Sequence, residues 1–177
     1  MKRFSIIPVL TVAMAVLAAG CSKDNPTTPA VDDNHVQFKA TLLPANEVAP
    51  NIVTGPEASA SGTATIDFTL VKDAAGAITS GTVNFRVDVT GFPAGSAISL
   101  SHIHTGAAGV SGPVLVNANV ALGEITLVGG AATYSRLNIA MTAAQAQQIV
   151  NNPPGYYFNV HTSAFPQGVM RGQLVKQ

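Results

Sequence analysis

Ala64-Thr65-Ile66-Asp67-Phe68-Thr69-Leu70 and Val83-Asn84-Phe85-Arg86-Val87-Asp88-Val89-Thr90 decide the fold: in both, apolar and polar residues alternate one for one. That period of two is the signature of a strand with one face in a core and the other in water. Between them Asp73-Ala74-Ala75-Gly76 reads as a turn, so the two stretches form a hairpin. Upstream, Val36, Phe38, Ala40 and Leu42 alternate with Gln37, Lys39 and Thr41 in the same way. Downstream, strands are expected at residues 98–104, 113–120, 124–128, 133–138, 156–162 and 168–175, punctuated by Gly, Pro, Asn or Asp. Many short strands at regular spacing predict an all-β chain, a Greek-key β-sandwich or flattened barrel, immunoglobulin-like or superoxide-dismutase-like. One segment breaks the alternation. Thr142 is placed to cap a short helix over 143–150, with Ala144, Ala146, Ile149 and Val150 on its apolar side and Pro153-Pro154 ending it. Its expected role is to cover one open end of the sandwich.

The opening of the chain is different. Lys2 and Arg3 precede an apolar stretch from Ile6 to Leu17, which contains Pro8 and Thr11 and is too short to span a bilayer, a task needing about 20 apolar residues. It leads into Leu17-Ala18-Ala19-Gly20 before Cys21, the charged, hydrophobic, cleavable order of an export signal. The run resembles the lipobox of bacterial lipoproteins. That resemblance implies that residues 1–20 are removed and that Cys21 carries a covalent lipid of the palmitate type, making the membrane a partner through the anchor. The alternative is ordinary secretion with an unpaired thiol. Residues 21–34, with two prolines and almost no large apolar side chain, read as lipidated cysteine and disordered tether. The domain is expected over 35–177, in the cell envelope. Ser22 does not resemble an inner-membrane retention signal, and Lys23-Asp24 resembles surface-export signals, which points to the outer membrane or the cell surface.

Cys21 is the sole cysteine, so no disulfide staples the domain, and about 140 residues are enough to bury a core without one. Without residues 1–20 the chain holds seven basic against nine acidic residues. A nucleic-acid footprint needs a basic patch, and none is present.

Three of the four histidines lie in two related motifs, His102-Ile103-His104-Thr105-Gly106 and Asn159-Val160-His161-Thr162. Aligned, His104 matches His161, Thr105 matches Thr162, and Asn159 replaces His102. Residues i and i+2 of a strand share a face, so His102 and His104 point together, as do Asn159 and His161. If the two strands are neighbours, three imidazoles and an amide converge, a donor set that suits zinc or copper. Two other readings stand beside this: a buried hydrogen-bond network in which hydroxyls, amides and carbonyls satisfy each ring nitrogen, or a site for a small ligand.

Phe38 to Leu42, Asn46-Glu47-Val48 with Pro50, His102-Ile103-His104-Thr105-Gly106 with Gly112-Pro113-Val114, Tyr157-Phe158-Asn159-Val160-His161-Thr162 and Arg171-Gly172-Gln173-Leu174 together resemble the CHRD domain first recognised in chordin. The resemblance covers roughly residues 35–175 and implies an extracellular or envelope β-sandwich module; it brings no reaction and no catalytic residues. Ala49 and the pair Val169-Met170 depart slightly from the family pattern. The His-x-His strand also looks like part of the copper/zinc superoxide dismutase site. That enzyme needs more histidines, a zinc aspartate and a disulfide, and here the remaining His35 falls at the tether boundary.

Glu47 and Arg171, near opposite ends of the domain, are expected to pair, an Arg fork gripping a carboxylate; an acid and a cation serving a substrate is the alternative. Gly-x-Ser-x-Gly, His-Glu-x-x-His and phosphate-loop signatures are absent, and Asp67 and Asp88 fall on solvated strand faces. The leading expectation is therefore a lipid-anchored, non-enzymatic envelope module binding a protein or glycan partner. The second is a metal-binding or redox protein built on His102, His104 and His161.

Overall fold

In the computed structural model, which describes residues 33–177, the first three alternating stretches are β1 (His35–Leu42), β2 (Ser61–Lys72) and β3 (Ile78–Thr90). The expected export signal, Cys21 and the tether up to residue 32 lie outside the described residues. Asp33 and Asn34 already belong to the fold: their carbonyls accept from Lys72 Nζ at 2.6 Å and Leu70 N at 2.7 Å. His35, expected at the tether boundary, opens β1.

Alternation becomes burial residue by residue. Phe38, Ala40, Leu42, Ala64, Ile66, Phe68, Val83, Phe85 and Val87 are buried, while their polar neighbours face outward. The β2–β3 hairpin closes as expected on Asp73, whose carboxylate accepts from the N–H groups of Ala75 and Ala77, with Gly76 at φ +84°.

After β3 come β4 (Ile98–Thr105), β5 (Val114–Asn117) and β6 (Ala132–Thr142), then α1 (Ala143–Asn151), β7 (Tyr156–Thr162), β8 (Met170–Gln173) and β9 (Val175–Lys176). The strands form two antiparallel sheets, β6-β3-β2-β1-β9 and β5-β4-β7-β8, packed as a sandwich; the flattened-barrel alternative is not adopted. Phe85 of one sheet meets Phe158 of the other, ring centroids 5.5 Å apart, in the shared core.

The helix forms where Thr142 predicts it. Gln145 N–H donates to Thr142 Oγ1 and Thr142 N–H donates to Gln145 Oε1, a reciprocal capping box that satisfies two N-terminal donors. Ala146 and Ile149 enter the core beside β3, and Gln145 Nε2 donates to Leu115 O of β5 at 2.7 Å, so α1 touches both sheets.

Three expected strands change. The stretch 113–120 is strand only over Val114–Asn117, and Asn119 beyond it sits at φ +57°. Residues 124–128 make only isolated bridges, Ile98 with Ile125 and Val128 with Ala131. Gly129 and Gly130, both at positive φ, turn the chain before a ladder extends, and a Cβ at Gly130 would collide with Phe92 O. The stretch 168–175 splits, because the chain crosses between sheets at buried Leu174. Among the described residues no helix is long and apolar enough to cross a membrane.

Candidate metal centre

β4 and β7 are antiparallel neighbours, with Cα partners His102 to Asn159 and His104 to Tyr157. Directly opposed residues share a sheet face. On the inner face, Ile103, Phe158 and Val160 are fully buried in the core. The outer face carries His102, His104, Tyr157, Asn159 and His161, with Arg171 on β8 opposite Asn159. An outer sheet face is ordinarily solvated. Here the 44–51 and 106–113 segments and the chain after Thr162 fold over it, so that His102, Asn159, His161 and Arg171 are all at most 5 % exposed.

The convergence expected from strand spacing is present. His102, His104 and His161 each offer one ring nitrogen, and the three atoms lie within 4.8 Å of one another. Backbone carbonyls fix the tautomers. His104 Nδ1–H donates to Gly112 O at 2.9 Å, and His161 Nδ1–H donates to Pro166 O at 3.0 Å. Each neutral ring therefore turns an Nε2 lone pair inward. His104 Nε2 accepts from His102 Nδ1–H at 2.9 Å, whereas His161 Nε2 is buried with no hydrogen-bond partner. The two motifs thus share a geometry as well as a sequence: each histidine is followed by a loop that returns a carbonyl to its Nδ1.

Burial, first of all, lowers the basicity of all three rings. His102 is held at about 3, with His161 and His104 adding repulsion. His104 is lowered despite its bond to Gly112, with the Arg171 charge contributing, and His161 is lowered despite its bond to Pro166. The cluster is uncharged at neutral pH.

Glu47 and Arg171 reach the same region but do not form the expected fork, and no ion pair joins them among the described residues. Arg171 is committed elsewhere. Its Nη2 donates to Ala107 O and Val110 O, and its guanidinium lies 3.7 Å over the Tyr157 ring. The Glu47 carboxylate instead accepts from Asn51 Nδ2 at 3.0 Å and Asn159 Nδ2 at 3.1 Å. Burial raises its pKa, and the two amides and the Arg171 charge only partly oppose this.

The threonines brace the loops. Thr105 donates to Pro113 O at 3.4 Å, and buried Thr162 accepts from Phe165 N–H and donates to Glu57 Oε2 at 2.7 Å. Glu57, itself buried and bonded to Ser96, was not apparent from sequence, since a lone Glu after Gly55-Pro56 carries no pattern. Tyr157 was visible only as a motif letter; it stacks on His104 at 4.9 Å and 5°. Asn51 carries no sequence pattern either, and it ties Glu47 to the Gly168 carbonyl.

Beside His104 opens a cavity of about 430 Å³ lined by Glu47, Val48, Asn51, Ser111, Tyr157 and Asn159, among others. Neither curated proteins nor solved structures yield a match to the chain. A family profile described as the CHRD domain matches residues 38–174, from the centre of β1 to the sheet-crossing Leu174, and spans every histidine of the cluster. The chain belongs to the CHRD domain family.

Proposed function

We propose that this domain is a transition-metal-binding module, with His102, His104 and His161 as ligands, held at a bacterial envelope membrane through a lipid on Cys21. The observation that carries the metal reading is the buried, partnerless Nε2 of His161, aimed at two other imidazoles while its Nδ1–H is spent on a carbonyl. A purely structural network leaves that lone pair unexplained, and so does a module that only docks a partner on its surface. Carbonyl bonds to the far nitrogen are the usual outer support of a metal-ligating histidine.

The donor set is three neutral imidazoles without thiolate or carboxylate, which suits zinc or copper. Tetrahedral bonds of about 2.0–2.1 Å place ligand nitrogens about 3.3 Å apart, and the observed spacing, from 2.9 Å to at most 4.8 Å, brackets that value. Small ring rotations complete the site. Binding moves the His102 proton from Nδ1 to Nε2.

The anchor rests on the Leu-Ala-Ala-Gly-Cys run ending at Cys21. The metal reading is tested by thermal unfolding of the untagged, chelator-stripped protein with zinc or copper. Metal at a hundred times its Kd stabilises by about 2.7 kcal/mol, several degrees in Tm. No shift with either metal at micromolar concentration overturns it.

A further inference from the structure

Three imidazoles leave a zinc or copper ion at least one coordination position for a ligand from outside the chain. The cavity beside His104 is the space available to such a ligand. Asn159 is one of its lining residues, only 2 % exposed, and its Oδ1 is a second buried atom with no hydrogen-bond partner. Asn159 stands directly across from His102, on the same sheet face. Its amide is oriented, because Nδ2 donates to Glu47 Oε1 and Oδ1 is therefore the free end. Gly168 leaves room for it: a Cβ there would come within 2.7 Å of Oδ1, 2.8 Å of Nδ2 and 2.9 Å of Glu47 Oε1, so any side chain at 168 would displace the amide and the carboxylate together.

His161 Nε2 is thus a lone pair in need of a Lewis acid, and Asn159 Oδ1 is an acceptor in need of a donor. A metal carrying a protic ligand supplies both. We propose that the cavity is an exogenous-ligand site on the metal, taking a small neutral ligand that coordinates through one atom and donates an N–H or O–H hydrogen bond to Asn159 Oδ1. Glu47 and Gly168 act as positioning residues that keep the acceptor turned toward the ligand. The inference rests on the three-histidine metal reading and adds that the site is open to chemistry, unlike a structural metal enclosed by four protein ligands.

The probe is the protein loaded with Cu(II) and titrated with imidazole or 1-methylimidazole, followed by the visible d–d band and EPR at ligand concentrations that leave copper on the protein. Both coordinate through one nitrogen, but only imidazole keeps an N–H to donate. Imidazole is expected to bind about tenfold more tightly, the worth of one hydrogen bond to a buried acceptor. Asn159→Leu removes the preference. Ser111→Trp, on the exposed rim of the cavity, weakens both ligands while copper stays bound, and it tests the open site whether or not Asn159→Leu folds. A copper-loaded protein whose spectrum ignores imidazole overturns the open site while leaving metal binding intact. Equal affinity for the two probes overturns the role of Asn159. Failure to load copper or zinc removes the metal reading itself.

Discussion

Acidification of the metal-free domain should destabilise it through the histidine cluster, and His102 sets the scale. Its imidazole is held at about 3 in the folded chain, mainly by burial, against about 6.5 when exposed. A pKa lowered by folding means that the unfolded chain binds the proton first. The stability contributed by neutral His102 is therefore complete above pH 6.5 and is lost as pH falls toward 3. The slope is about 1.4 kcal/mol per pH unit, or about 2 kcal/mol between pH 7 and pH 5. That figure is a ceiling, because the neighbouring His104 is partly exposed and nearby solvent screens the charge. His104 and His161, also lowered, act in the same direction. Glu47, raised by burial, acts oppositely, since its folded form takes up a proton more readily as pH falls. Urea unfolding in chelator at pH 7, 6 and 5 on wild type and His102→Gln isolates the term. The variant keeps a donor for His104 Nε2, and its stability should fall less steeply by up to about 2 kcal/mol over that interval. Parallel pH dependence in the two proteins would refute the account of neutral, buried imidazoles.

Two further outcomes follow from backbone and capping. Gly168→Ala forces a side chain onto φ +125° and against Asn159 and Glu47, and should lower stability by about 2 kcal/mol or more in chemical denaturation. It should also weaken imidazole on the copper-loaded protein. Thr142→Ala removes the capping box of α1 and should cost about 1 kcal/mol, seen as a lower urea midpoint with metal affinity unchanged.

The sandwich was legible because β1, β2 and β3 alternate without interruption and Thr142 announces α1 by its side-chain chemistry. The convergence of His102, His104, Asn159 and His161 was legible for the same reason: i and i+2 share a face. What sequence could not show is which strands are neighbours and what roofs them. The 44–51 and 106–113 segments have no periodicity, yet they supply Glu47, Asn51 and the Gly112 carbonyl, and they turn a nominally solvated face into a buried site. Arg171 shows the limit most clearly. Its charge pointed to Glu47, but three-dimensional proximity gave it loop carbonyls and the face of Tyr157. Residues 124–128 erred for a local reason, paired glycines that end a ladder before it begins.

The most direct test of the central claim is metal stoichiometry. Untagged protein, dialysed against micromolar zinc or copper and then against metal-free buffer, should retain one ion per chain by elemental analysis. His161→Ala and His104→Ala, folded by circular dichroism, should retain none. Wild type without metal, or variants that hold it as firmly as wild type, would contradict a three-histidine centre.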